Sequence, residues 1–261
     1  MNGLFITGTD TGIGKTALSA LLLAELRRRG VNAAPMKPVQ TGCDPAATGN
    51  RQEAGGNSDP SCPMPKVQGL SVPDLDYALS MASMKVETDA YKCMAPYTFE
   101  PACSPHLAAE LAGTEIDLAE MVIAARTLTA EYEFVIAEGA GGAVVPLNRR
   151  ETMLDLMQAL KFPILIAARP GLGTINHTLL TLRALRSDGI DIAGIVFIAS
   201  TEDEPGFIEE DNENTIEQFG QIPILGTIPY CRQLTDPEPS FNNLPIPVVT
   251  ATEKIVNQLG L

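Results

Sequence analysis

Short, continuously apolar runs alternate along this chain with longer stretches in which apolar residues recur every three or four positions. The runs Gly3–Thr7, Val31–Met36, Phe134–Glu138, Ile164–Ala168, Ile192–Phe197 and Ile224–Ile228 read as strands. Most lack the in–out alternation of a sheet wetted on one side, so both faces of their sheet should be covered. The periodic stretches Thr16–Arg29, Asp117–Ala130, Thr152–Leu160, Asn176–Ser187 and Phe207–Phe219 read as helices. The alternation predicts an α/β chain with a doubly wound, mostly parallel sheet and helices on both faces, and ligands at the carboxyl ends of its strands. Two stretches break the pattern. Cys43–Pro73 is rich in Gly, Pro, Asn and Ser without periodicity and reads as a long insertion. Thr235–Pro247 is proline-rich and is expected to run extended over the surface rather than as helix.

The length, 261 residues, suits a single domain over 1–261 carrying that insertion, and 45% hydrophobic residues suffice for its core. A formal net charge of −14 argues against nucleic acid or an anionic membrane as partner. Five scattered cysteines without a C-x-x-C, beside only two histidines, predict neither a disulfide framework nor a zinc site. Free thiols in a reducing cytoplasm are the expectation. The chain runs straight into its first strand without a basic and then apolar leader, so no signal peptide is expected. No apolar run approaches the roughly 20 residues a membrane helix needs. His106 and His177 read as satisfied structural histidines.

The first strand leads into GTDTGIGKT and then a helix. Strand, glycine loop, Gly-Lys-Thr and helix form the phosphate-binding P-loop arrangement, which makes the sheet one of the P-loop NTPase type. Backbone N–H groups of Gly12, Ile13 and Gly14 and the positive helix end converge on an anion. Lys15 would reach the β/γ-phosphates, and the Thr16 hydroxyl a magnesium ion. The standard spacing puts the first glycine at position 9, where this chain has Thr9; Gly8 stands one residue early, so the loop is a variant.

Three further strand ends carry chemistry. Lys37, after Met36, either points into the phosphate crevice or begins a loop as a solvated lysine. Glu138 caps an apolar strand and is followed by Gly139-Ala140-Gly141-Gly142. It reads as a Walker-B type carboxylate on Mg²⁺, or else as a capping residue, and the glycines permit close approach to a ligand. Gly173-Thr174-Ile175-Asn176 follows another strand; Thr174 is a candidate N-cap, and the free N–H groups there either bind a carboxylate or only begin a helix.

Taken in order, GTDTGIGKT, MKPVQTG, APYTFEPACSPHLAA, EGAGG and GTINH resemble the dethiobiotin synthetase family over nearly all of residues 1–230. The resemblance implies a homodimer with active sites at the subunit interface. It implies a reaction in which 7,8-diaminononanoate and CO₂ form a carbamate, the carbamate takes the γ-phosphoryl of ATP, and the second amine closes a cyclic urea. By resemblance, Lys37, Lys15 and Thr11 carry the chemistry, and Thr41 contacts the substrate. Gly173, Thr174 and Asn176 bind the substrate carboxylate from the neighbouring subunit. Thr16 and Glu138 hold Mg²⁺ with an aspartate, for which Asp74 is preferred, also as N-cap of a helix Tyr77–Ala82, ahead of Asp76 and Asp59.

The chain departs from the family in two places. The insertion is longer than the family's and, following Thr41 directly, is expected over the substrate entrance. Phe197-Ile198-Ala199-Ser200 stands where the family often has an adenine-reading asparagine, so base recognition falls to backbone around Pro229, Tyr230 and Cys231. Two other functions use related chemistry. A ParA/MinD-like partition ATPase would carry an extra lysine early in the loop, where this chain has Thr9, Asp10 and Thr11. An amidotransferase-type synthetase would need a glutaminase domain.

Overall fold

The computed structural model describes residues 3–44, 71–202 and 206–261. The body of the Cys43–Pro73 insertion, with Asp59 and Cys62 in it, lies outside the described residues, so its expected position over the entrance is not assessed. The elements run β1 (Gly3–Gly8), α1 (Lys15–Arg28), β2 (Ala33–Met36), β3 (Val39–Thr41), α2 (Pro73–Met81), α3 (Thr88–Met94), β4 (Tyr97–Phe99) and α4 (Pro105–Leu111). They continue α5 (Leu118–Glu131), β5 (Phe134–Gly142), α6 (Met153–Leu160), β6 (Ile164–Ala168), α7 (Thr174–Ser187), β7 (Ile192–Ile198), α8 (Phe207–Gly220), β8 (Ile224–Ile228) and α9 (Ile246–Gln258).

Six strands form one sheet in the order β2-β5-β1-β6-β7-β8, every pair parallel. Its apolar strands serve two cores. Leu4 and Ile6 pack into a layer with Leu18 and Leu22 of α1 and Val248 and Ile255 of α9. Phe5, between them, packs into the opposite layer with Met121 and Leu128 of α5, Met157 of α6 and Leu182 of α7. Successive strand side chains point to opposite faces, so a strand covered on both sides must be apolar at every position. Each such fully buried Leu, Ile or Phe contributes about 1.5–3 kcal/mol.

Local signals start several of the helices. The Asp117 side chain accepts from the Ala119 N–H at 2.8 Å at the head of α5. Thr152 and Asp155 close a capping box on α6. α1, which carries the P-loop lysine, is anchored at its far end by the buried Glu25. Burial pushes that carboxyl up, but hydrogen bonds from Arg28 and Arg29 outweigh it and leave its pKa below the ordinary value. Arg29 also donates to the Asn257 side chain and the Leu261 carbonyl, clasping α1 to α9.

The structure corrects several expectations. Thr235–Pro247 is not uniformly extended: it holds a 3-10 turn at Phe241–Asn243 and the start of α9, with Pro245 as N-cap and Pro247 in the first turn. Proline is tolerated there because first-turn N–H groups have no helical partner. The helix after the insertion begins at Pro73, with Val72 as N-cap, so Asp74 lies in its first turn and is not its cap. The two-residue-per-face rule also missed a small parallel sheet of β3 and β4, since strands of three residues carry too short a pattern. Cys43, Cys103 and Cys231 are free thiols, but Cys93 is disulfide-bonded; spacing alone does not show which cysteines a fold brings together. Among the described residues, no helix is long and apolar enough to cross a membrane.

Candidate active site

Parallel register assembles the site. Ile6 of β1 lies beside Glu138 of β5, and Met36 of β2 lies beside Ala137. The residues that follow β1 and β2, the glycine loop and Lys37, therefore meet around Glu138 at the carboxyl edge of the sheet.

Glu138, 4% exposed, accepts at Oε1 from Thr16 Oγ1 at 2.8 Å and from Lys37 Nζ at 2.7 Å, and at Oε2 from Ser19 Oγ at 2.9 Å. Lys37 Nζ also lies 2.6 Å from Asp74 Oδ2 and donates to the Gly139 carbonyl at 3.3 Å. Its backbone N–H is held by the Met94 carbonyl at the end of α3. Burial works against the Lys37 ammonium, yet the Glu138 and Asp74 carboxylates outweigh it and its pKa is raised from the ordinary value. Lys15 is its opposite. Nζ donates to the Asp10 carbonyl within its own loop, and burial, helped by the Lys37 charge, pushes its pKa down to about 8.

The loop is held in a conformation that only glycine adopts easily. Gly14 has φ 97°, and a side chain there would come within 2.8 Å of Ile198 at the end of β7. Gly12 has φ 68° and its carbonyl accepts from Arg169 Nη2 at 2.8 Å. On the other wall, a Cβ on Gly141 would meet Val145 at 2.8 Å and Thr11 Oγ1 at 3.7 Å, so the β5 glycines lie against the P-loop.

The expected residues separate into groups. Lys15, Thr16, Lys37, Asp74 and Glu138 converge through the contacts above. Thr11 and Gly12 are exposed at the loop, beside buried Ile13 and half-buried Gly14, and Gly139, Ala140 and Gly141 line the adjoining strand. Of the competing aspartates, Asp76 accepts instead from Tyr91 Oη at 2.7 Å. Thr41, half-buried, ends β3. Pro229 and Tyr230 follow β8, whose Ile228 carbonyl accepts from Ala199. Gly173, Thr174 and Asn176 open α7 but make no hydrogen bond to the Lys37 cluster. The N-cap there is Gly173, φ 92°, so Thr174 is not the cap; its hydroxyl lies 3.3 Å from that of Thr178. Neither histidine is the satisfied structural one expected: His177 is exposed, and His106 Nδ1 is buried without a partner among the described residues.

Sequence reasoning missed two residues of this edge. Ser19 stands one helical turn beyond Thr16 and so faces Glu138 too, a relation the helical period contains. Arg169 directly follows β6 at the carboxyl edge, where ligand-facing groups collect.

The chain has known relatives. The AAA domain family model matches residues 2–238. An ATP-dependent dethiobiotin synthetase of Anaeromyxobacter dehalogenans is 41% identical over 206 residues, covering 78% of this chain and 80% of its own. That of Pseudomonas aeruginosa is 36% identical over 236 residues, covering 90% of this chain and 92% of its own. Among solved structures, a chain of the MinC:MinD cell division protein complex of Aquifex aeolicus aligns with a TM-score of 0.59 at 15% identity, covering 100% of this chain and 96% of that one. A ParA family ATPase from Chlorobium tepidum aligns at 0.53 and 13% identity, covering 99% and 95%. At such identities the structural likeness concerns the fold alone.

Proposed function

The chain belongs to the ATP-dependent dethiobiotin synthetase family, and from that membership we propose how its residues carry the reaction. It is an ATP-dependent ligase that forms C–N bonds on 7,8-diaminononanoate. The observation that carries our reading is one buried lysine, Lys37, held between the carboxylates of Glu138 and Asp74 at the mouth of the P-loop.

One amine of the substrate adds to CO₂ and loses a proton, giving a carbamate. A carbamate oxygen attacks the γ-phosphorus and ADP leaves. The second amine then attacks the carbamate carbon and loses its proton, and phosphate leaves as the ring closes. Both partners of the phosphoryl transfer are anions, so the chain's task is to hold them together. Lys15 lets go of the Asp10 carbonyl to meet the β/γ-phosphates. Lys37 faces the carbamate and the transferring phosphoryl group, while Gly12, Ile13 and Gly14 offer backbone N–H groups to the phosphates and Thr11 orients the reacting ends. Gly139, Ala140 and Gly141 lie along the nucleotide, and Pro229 and Tyr230 meet its base.

Thr16, Glu138 and Asp74 present hard oxygen donors. No group of three or more His, Cys, Asp or Glu side chains among the described residues could cage a metal. One or two carboxylates with a hydroxyl, completed by phosphate and water, is the set Mg²⁺ accepts, so the residues fit it. When bound, Mg²⁺ supplies neutralisation of phosphate charge. Thr41 contacts the diamine, and Gly173, Thr174 and Asn176 receive its carboxylate from a neighbouring copy of the chain. Leu172, 96% exposed beside them, supports that interface. A cytoplasmic location belongs to the same proposal.

The test combines the protein with diaminononanoate, bicarbonate, Mg²⁺ and ATP. We expect phosphate release that requires the diamine and stops when bicarbonate is removed. Release indifferent to the diamine would overturn the reading.

A further inference from the structure

Gln40 stands in β3 between Lys37 and Thr41, 8% exposed. Its Nε2 donates to the Thr41 carbonyl at 3.0 Å, and that contact distinguishes the two ends of the amide. Its Oε1 is buried and, among the described residues, has no hydrogen-bond partner. Buried acceptors are almost always satisfied in native proteins, so one left bare in the short strand that follows Lys37 and ends at Thr41 calls for a donor that arrives with a ligand.

Resting on the diamine reading above, we propose that Gln40 is a specificity-determining residue whose Oε1 accepts a hydrogen bond from the ring-closing amine of the substrate. The other side chains of the proposed site are ill-suited to that amine. Lys15 and Lys37 are themselves donors, and the Glu138 and Asp74 carboxylates are already engaged. A neutral amide oxygen also suits the chemistry better than a carboxylate. It orients an N–H without favouring the ammonium form, whereas a negative charge would hold the proton that must be lost before the nitrogen can attack.

Two variants separate this role from a structural one. Gln40→Met removes both ends of the amide; Gln40→Glu removes the donor to Thr41 but keeps an acceptor. We expect Gln40→Met to raise KM for the diamine by about tenfold while leaving KM for ATP unchanged, as for the loss of one hydrogen bond to a substrate. Gln40→Glu should keep KM for the diamine within about twofold of the parent but lower kcat and move the pH optimum upward, because its charge holds the amine protonated. An unchanged diamine KM in Gln40→Met overturns the inference. So does a Gln40→Glu protein as weakened in diamine KM as Gln40→Met, which would trace the effect to the Thr41 contact. A parent protein without diamine-dependent turnover overturns the underlying reading itself, and is seen separately.

Discussion

Replacing Lys37 with methionine removes the cation that sits between two carboxylates while keeping most of its apolar stem. Lys37 and Glu138 are 5% and 4% exposed, and the Asp74 side chain is 28% exposed. Stripping one partner from a buried ion pair costs roughly 3–5 kcal/mol. Two features place this case at the low end: Glu138 keeps the Thr16 and Ser19 hydroxyls, and water reaches part of Asp74. A loss of about 3 kcal/mol corresponds, for a chain of this size, to a melting temperature lower by roughly 6–12 °C. The pH dependence has a definite sign. The carboxylates raise the Lys37 pKa in the folded protein, so its stabilisation is complete below the ordinary lysine value and fades only as pH rises through the raised one. Between pH 5 and 8 the parent therefore gains or loses nothing through this lysine. Melting curves followed by circular dichroism at pH 5 and pH 7.5 read this directly, and kcat should fall by about 10²–10³, as for loss of a preorganised charge-stabilising donor. A variant that melts within about 1 °C of the parent at both pH values and turns over normally would remove Lys37 from the pair and from the chemistry.

Lys15, with its pKa pushed down to about 8, is half neutral near that pH in the free protein, and a bound triphosphate restores its charge. ATP binding should then take up about three-quarters of a proton near pH 8.5, measurable by titration calorimetry in two buffers of different ionisation heat; no uptake would refute the low value. On the stability side, the unfolded chain holds the extra proton between about 8 and the ordinary 10.5, so removing this penalty in Lys15→Met should stabilise the fold below pH 8, an advantage that shrinks as pH rises through that window. Asp74→Asn should raise the Mg²⁺ concentration for half-maximal activity by about tenfold or more, while Asp76→Asn, whose partner is Tyr91, should leave it unchanged; equal effects would discard the choice of Asp74. Gly14→Ala forces a side chain into φ 97° and against Ile198, so ATP affinity should drop more than tenfold and the melting temperature by several degrees, from about 1–3 kcal/mol of strain.

By itself the sequence determined the layered α/β architecture. A strand buried on both faces must be apolar throughout, and a helix against a sheet must be apolar on one side, so those patterns are written locally. The P-loop was legible for the same reason, because its lysine, hydroxyl and glycines are consecutive. Only the tertiary structure decided what surrounds Glu138. Ser19 comes from one helix, Lys37 from just past a strand two places along the sheet from β1, and Asp74 from a helix beyond the insertion; parallel register and helix packing bring them together, and neither has a local code. The same holds for Asp74 and Asp76, two residues apart in one helix but turned to different partners, Lys37 and Tyr91. It holds as well for the bare oxygen of Gln40, since a missing hydrogen bond exists only once every neighbour has taken its place.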